Sequence, residues 1–132
     1  MPDDLLIEKA KQAYLNARAI YSGFQVGAAV LLEDGSIFEG FNVEADSSAL
    51  SICAERVAVV HAMLYSRSKI KKIAIVADTE NFVSPCGVCR QFLSEFSSLT
   101  VIMGNLKGDT KIMTIKELLP FHFQRRSKNK TN

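Results

Sequence analysis

A chain of 132 residues, 48% hydrophobic and 23% charged, suits one soluble domain that buries a core without disulfide staples. The formal net charge is +2, and Arg125, Arg126, Lys128 and Lys130 supply it from a stretch with no acidic residue after Glu117. Without those four the body holds 12 basic against 14 acidic residues, which excludes a basic platform for nucleic acid.

A single domain over residues 1–123 is expected. The basic tail, 124–132, reads as a disordered solubilising end, with a weak anionic contact as the lesser reading. Pro2, Asp3 and Asp4 put acid where a signal peptide wants base, and no apolar run approaches the roughly 20 residues of a membrane span. Three cysteines cannot pair fully. Without a signal peptide, that odd count points to reduced thiols in the cytoplasm, used as ligands or catalysts.

In chain order, Asp4 can cap a first helix running to about Arg18, with Leu6, Ala10, Ala13 and Ala17 at helical spacing. Tyr21-Ser-Gly breaks it. Residues 24–32 read as a strand, Asp34-Gly35 as a hairpin turn and 36–43 as the returning strand, while small and polar residues make 45–52 a loop. A second helix starts near Cys53, and Cys53, Val57, Val60 and Leu64 form one stripe expected to be buried.

Residues 70–72 lead into a strand at 73–77, an unbroken apolar run typical of a strand covered on both faces. Pro85 opens a third helix, with Phe92, Leu93 and Phe96 facing the core. Strands follow at 100–104 and 110–113, then a last helix at 115–119 stopped by Pro120. The fold class is α/β: a three-layer α/β/α sandwich around a five-stranded mixed sheet.

Two short motifs, Cys53-Ala54-Glu55 and Pro85-Cys86-Gly87-Val88-Cys89, contain every cysteine of the chain. Each cysteine sits at a predicted helix N-terminus, where free N–H groups and the helix dipole favour thiolates. Cys86 and Cys89, three positions apart on a helix, share one face and can grip one ion, and Cys53 brings a third thiolate. Three protein ligands leave the fourth tetrahedral position for water, the mark of a catalytic zinc site. Glu55 leans over the same helix end and can carry protons between that water, a ring nitrogen and a leaving amine. Three thiolates also burden the ion with negative charge, so nearby donors must offset it. Arg56, Arg90 and Gln91 adjoin the ligands in sequence and are the candidates.

Two rival readings of the cysteines are weaker. A CxxC that follows a strand and opens a helix also suits a thioredoxin-like redox pair, but the third cysteine lies in Cys-x-Glu. A structural zinc needs a fourth ligand. His61 lies more than two helical turns beyond Cys53, and His122 sits in an aromatic C-terminal stretch as a surface or packing residue.

Cysteine-held zinc, a non-ligand Glu and a Pro-Cys-x-x-Cys run form the signature of zinc deaminases. From Tyr14 to Phe123 the chain resembles the cytidine deaminase family. The matching stretches are Tyr21-Ser-Gly-Phe-Gln-Val-Gly-Ala-Ala, Gly40-Phe-Asn-Val-Glu, Ile52-Cys-Ala-Glu-Arg, Val76-Ala-Asp, Ser84-Pro-Cys-Gly-Val-Cys-Arg-Gln-Phe and Glu117-Leu-Leu-Pro. It is most similar to the short, three-cysteine form.

That form implies one zinc ion per chain, a homotetramer, no membrane association and conversion of cytidine and deoxycytidine to uridine and deoxyuridine plus ammonia, as in pyrimidine salvage. The resemblance gives Phe24 a stacking role on the pyrimidine. It gives Asn42 and Glu44 the ribose hydroxyls, and the Ala54 N–H and Glu55 the carbonyl and N3 side of the base. Arg56 and Gln91 would serve the sulfurs, and Phe123 (or Phe121) would reach a neighbouring subunit's site. Taken alone, Phe24 reads equally as a core aromatic, Asn42 and Glu44 as a solvated face and Arg56 as a surface arginine.

The family pattern Asn-Val-Glu-Asn-Ala-Ser-Tyr departs here to Asn42-Val43-Glu44-Ala45-Asp46-Ser47-Ser48, and a Pro before Tyr21 is replaced by Ile20. The catalytic core is intact and the sugar end is not standard. A modified cytosine nucleoside, of the blasticidin type, is therefore the nearest rival substrate. A nucleic-acid-editing deaminase is disfavoured by the body charge and the absence of Trp, and a non-enzymatic zinc or redox module by Glu55.

Overall fold

The computed structural model describes residues 2–125. Most of the expected tail lies outside the described residues. The elements are α1 (Pro2–Tyr14), β1 (Val26–Leu32), β2 (Ile37–Phe41), α2 (Ala54–Tyr65), β3 (Ile70–Ala77), α3 (Gly87–Leu93), β4 (Thr100–Asn105), β5 (Thr110–Thr114) and α4 (Ile115–Leu118). The five strands form one mixed sheet in the order β2-β1-β3-β4-β5. Only β3 and β4 run parallel, and the other pairs are antiparallel.

Side chains alternate across the sheet and build two cores. Ala29, Ala74, Val76 and Ile102 face Leu6 and Ala10 of α1. Val30, Ile73, Ile75, Val101 and Met103 face α2, the Leu93 end of α3, and α4. The central strands are thus covered on both sides, which gives the three layers expected. Lys72 on β3 reaches Asp3 in the first turn of α1 at 2.7 Å and fastens that layer from its edge.

Several boundaries differ from the expected ones. The first helix ends at Tyr14, not near Arg18, because the chain must turn back to pair beside β2: Arg18 N donates to Asn42 O at 2.9 Å. Asp4 lies inside the first turn of α1 rather than capping it. β1 starts at Val26 and not at residue 24, and loop 45–52 contains one 3-10 turn, Ser48–Leu50. Pro85 precedes α3, whose N-cap is Cys86. Phe92 and Phe96 pack on the core as expected, but Phe96 lies past the helix end. Thr114 closes a capping box with Glu117 and so starts α4.

The largest correction concerns α2. Of the stripe expected to be buried, Val60 is 59% and Leu64 74% exposed. The face against the sheet is made of Ala54, Ala58 and Ala62, with Glu55 and Val59. Small side chains are required because the helix lies directly on the backbone of β2. A Cβ on Gly40 would stand 2.3 Å from Ala58 N and 2.7 Å from Ala54 O. The same device seats α1 on the opposite face, where a Cβ on Gly27 would meet Ala10 O at 2.1 Å.

Gly40→Ala is therefore expected to cost at least about 1–3 kcal/mol in urea unfolding, as overpacking against backbone does. Gly87→Ala, with nothing within 4 Å of the added Cβ, should change stability by less than about 1 kcal/mol. Equal effects would show that α2 is not seated this closely.

Candidate active site

The register places all the candidate residues at one end of the sheet. Val26, the start of β1, pairs with Ala77, the end of β3. Phe41, the end of β2, pairs with Gly27. Phe24 therefore precedes β1, Asn42 and Glu44 follow β2, and the loop to Cys86 follows β3, all beside the carboxyl ends of the parallel pair. Ligands of open α/β sheets bind in that position.

Cys53 is the N-cap of α2 and Cys86 the N-cap of α3, and neither uses its side chain to cap. Cys89 lies in the first turn of α3 and is fully buried. The three Sγ atoms all lie within 4.8 Å of one another. Two sulfurs held tetrahedrally on one zinc at ~2.3 Å stand about 3.8 Å apart, and Cys53 and Cys86 are 3.8 Å apart. The donor set therefore fits a zinc ion with one position left open. His61 is occupied elsewhere: its Nδ1 lies 2.8 Å from Glu39 O, and its ring packs edge-on to Phe38 and Tyr65.

The protons of the cluster are unevenly shared. A hydrogen bond from Cys89, aided by Arg56, holds the Cys53 thiol down at about 5 despite partial burial. Donating that bond, together with burial, pushes the Cys89 thiol well up. A cation at the centre favours all three as thiolates, so binding it releases protons. Arg56 is the donor on the sulfurs: its Nη2 lies 3.9 Å from Cys53 Sγ and 3.4 Å from Ser51 O.

Glu55 is 4% exposed. Burial, reinforced by the Cys53 charge, pushes its carboxyl up to about 7, against a hydrogen bond from Cys89 and the Arg56 charge. Such a group can both accept and return a proton near neutral pH.

The other expected residues divide. Gln91 does not reach the sulfurs: its amide exchanges hydrogen bonds with the backbone of Phe123, Nε2 to O at 2.9 Å and Oε1 from N at 3.3 Å. Arg90 likewise turns away, bonding Pro85 O at 2.9 Å and Leu118 O at 2.8 Å. Asn42 has both ends engaged, accepting from Val26 N at 2.8 Å and donating to Phe24 O at 2.9 Å.

Glu44 accepts from the N–H groups of Tyr21 and Ser22, at 2.9 and 3.0 Å, and from the Ser22 hydroxyl. These bonds hold its carboxyl below the usual range. The hydroxyl of Ser22 in turn accepts from Phe24 N at 2.9 Å. Asn42, Glu44 and Ser22 thus form a frame that presents Phe24, 46% exposed, at the same end of the sheet. Phe121 and Phe123 are both largely exposed. The frame residue missed from sequence is Ser22, whose one signal is its place in a turn beside Phe24. In the departing loop, Ala45 N donates to Ser51 Oγ at 3.0 Å, and Asp46 and Ser48 are exposed.

The cysteine cluster predicts about one zinc per chain by elemental analysis. Cys86→Ser should lose the metal and lower Tm, since the ion ties two helix ends together. Full zinc content and unchanged Tm in that variant would place the metal elsewhere.

Comparison with known proteins agrees with this geometry. Residues 1–105 match the model of the cytidine and deoxycytidylate deaminase zinc-binding region. The cytidine deaminase of Halalkalibacterium halodurans is 46% identical over 125 residues, 93% of this chain and 95% of that protein. That of Sporosarcina psychrophila is 44% identical, over 95% and 93%. The crystal structure of cytidine deaminase from Burkholderia pseudomallei superposes with a TM-score of 0.89 at 40% identity, over 93% of this chain and all of that one. With three thiols gathered on two helix ends and a buried carboxyl beside them, the chain belongs to the zinc-dependent cytidine and deoxycytidylate deaminase family.

Proposed function

We propose that the chain hydrolyses cytidine and deoxycytidine to uridine and deoxyuridine, releasing one ammonia for each water consumed, as a step of cytoplasmic pyrimidine salvage. The observation that carries this reading is Glu55, a buried carboxyl raised to about 7 beside three sulfurs that fit one zinc ion. When bound, the metal supplies a Lewis acid that makes water a nucleophile near neutral pH.

The chain's own residues supply the rest. Glu55 takes one proton of the attacking water and gives it to N3 of the base, then takes the second proton from the hydroxyl added at C4 and delivers it to the departing amine. Phe24 offers its ring face to the pyrimidine. The Ala54 N–H, in the first turn of α2 where backbone donors are unpaired, addresses the base carbonyl. Asn42 keeps one amide hydrogen, and Glu44 keeps acceptor capacity, for the sugar hydroxyls. Arg56 draws charge from the sulfurs and so keeps the metal electrophilic. The thiols must stay reduced to serve as ligands, which supports a cytoplasmic setting. Among the described residues, no helix is long and apolar enough to cross a membrane.

The names of the relatives support the nucleoside, and Ala45, Asp46 and Ser48 mark where a different sugar would be accommodated. Ammonia release from cytidine, deoxycytidine, CMP, free cytosine, a bulkier cytosine nucleoside and single-stranded DNA tests the substrate. Cytidine and deoxycytidine should lead, and a bulkier nucleoside that leads instead would correct the substrate alone. Glu55→Gln should keep zinc and fold but lose about 10²–10⁴-fold in rate. Near-normal turnover would make Glu55 a bystander.

The outward face of α2 carries Val60, Met63, Leu64 and Tyr65, each more than half exposed. A patch of this kind marks a protein contact, and we assign it to self-association, in keeping with the homotetramer that the family resemblance implies. Leu64→Glu should shift the mass in light scattering from four chains toward fewer. An unchanged mass would put the contact elsewhere.

A further inference from the structure

β4 ends at Asn105, the register partner of Ala77 at the end of β3. It is 1% exposed and takes no part in the chemistry above. Its carboxamide is nevertheless fully engaged. Oδ1 accepts from Lys107 N and Asp109 N, both at 3.0 Å. Nδ2 points at three consecutive carbonyls, Thr79 O at 3.0 Å, Glu80 O at 3.2 Å and Asn81 O at 3.1 Å, and at Asp109 Oδ2 at 2.9 Å. Two amide hydrogens thus serve four acceptors.

Three successive carbonyl oxygens repel one another when they converge, and a chain curls them inward only around a donor. Here the donor shared by all three is a single buried nitrogen, and the Thr79 hydroxyl adds one bond to Asn81 O at 2.6 Å. The curl it holds opens the loop after β3, which has no regular structure, is exposed along most of its length and ends at Cys86. One further bond pins it to β4, Val83 N to Gly104 O at 3.0 Å. Arg90 fixes the other end through Pro85 O. Of the three sulfur residues, Cys86 is the exposed one, with the least packing to hold it.

We propose that Asn105 is a positioning residue for the metal: by curling residues 79–81 it sets the course of the loop and hence the place of the Cys86 sulfur. The proposal rests on the reading of the three cysteines as a zinc site. Outer groups that orient a ligand are worth 10–100-fold in metal affinity or activity.

The test is zinc release from the loaded protein to an excess of a chromophoric chelator. Asn105→Ala should release zinc about 10–100-fold faster than the parent. Asn105→Asp keeps the size but turns an oxygen on four oxygens, and should be at least as fast. Asn105→Ser keeps one donor, should fall between, and serves where the others fold poorly. Leu6→Ala, in the core under α1, controls for a general loss of stability and should release zinc at close to the parental rate.

A readout independent of metal is hydrogen exchange at the Val83 amide, which should quicken in Asn105→Ala. Release no faster than in the control, or unchanged Val83 exchange, overturns the proposal. A parent that holds no zinc is a different result: it overturns the metal reading and the proposal with it.

Discussion

Three sulfurs within 4.8 Å of one another cannot all carry charge unless a cation lies among them. Much of the architecture answers to that constraint. Two helices begin at the same end of the sheet, so that Cys53 and Cys86 stand at their positive ends. Arg56 lies on Cys53, and the adjacent carboxyl, Glu55, is buried so that it holds a proton near neutrality. Each of these reduces the repulsion among the thiolates or keeps a further negative charge away from them. The metal is thus a partner of the fold as well as of the chemistry.

The helix that carries Cys53 and Glu55 is located by contact with backbone. Gly40 removes the side chain that would hold α2 off β2, and Ala54, Ala58 and Ala62 complete the close fit. A helix resting on large residues has several ways to pack, whereas one resting on a glycine and three alanines has little room to shift. The end that bears Cys53 and Glu55 inherits that rigidity, and the bulky apolar residues are displaced to the outer surface.

The three-cysteine cluster is legible in the sequence because its spacing is local and its chemistry is rare. Cys-x-Glu and Pro-Cys-x-x-Cys each name a helix end and a thiol together. The strand pattern is legible too, through the Asp34-Gly35 turn and the unbroken apolar run of β3. Direction is harder to read. Helical periodicity finds a face of α2 without saying which face looks inward, and large apolar residues outweigh alanines in such a reading. The missing clue is Gly40, far from α2 in sequence. Adjacency misleads in the same way for Arg90 and Gln91. Successive helical residues point about 100° apart, so turning Cys89 inward turns its next two neighbours away. Arg56, three positions after Cys53, shares its face and does reach the sulfur. Asn105 leaves no sequence signal, because its partners lie in two loops that only the sheet brings together.

Gln91 gives the C-terminal segment a meaning beyond packing. Its amide grips the backbone of Phe123 from both sides, and on the same helix Arg90 holds the end of α4. The match to the family model stops at residue 105, yet these bonds carry the domain past residue 120. A chain trimmed at that match would lose the strand and helix that anchor α3. A chain trimmed just before Phe123 would keep that strand and helix yet leave the Gln91 amide, on the helix that bears Cys89, without either of these bonds.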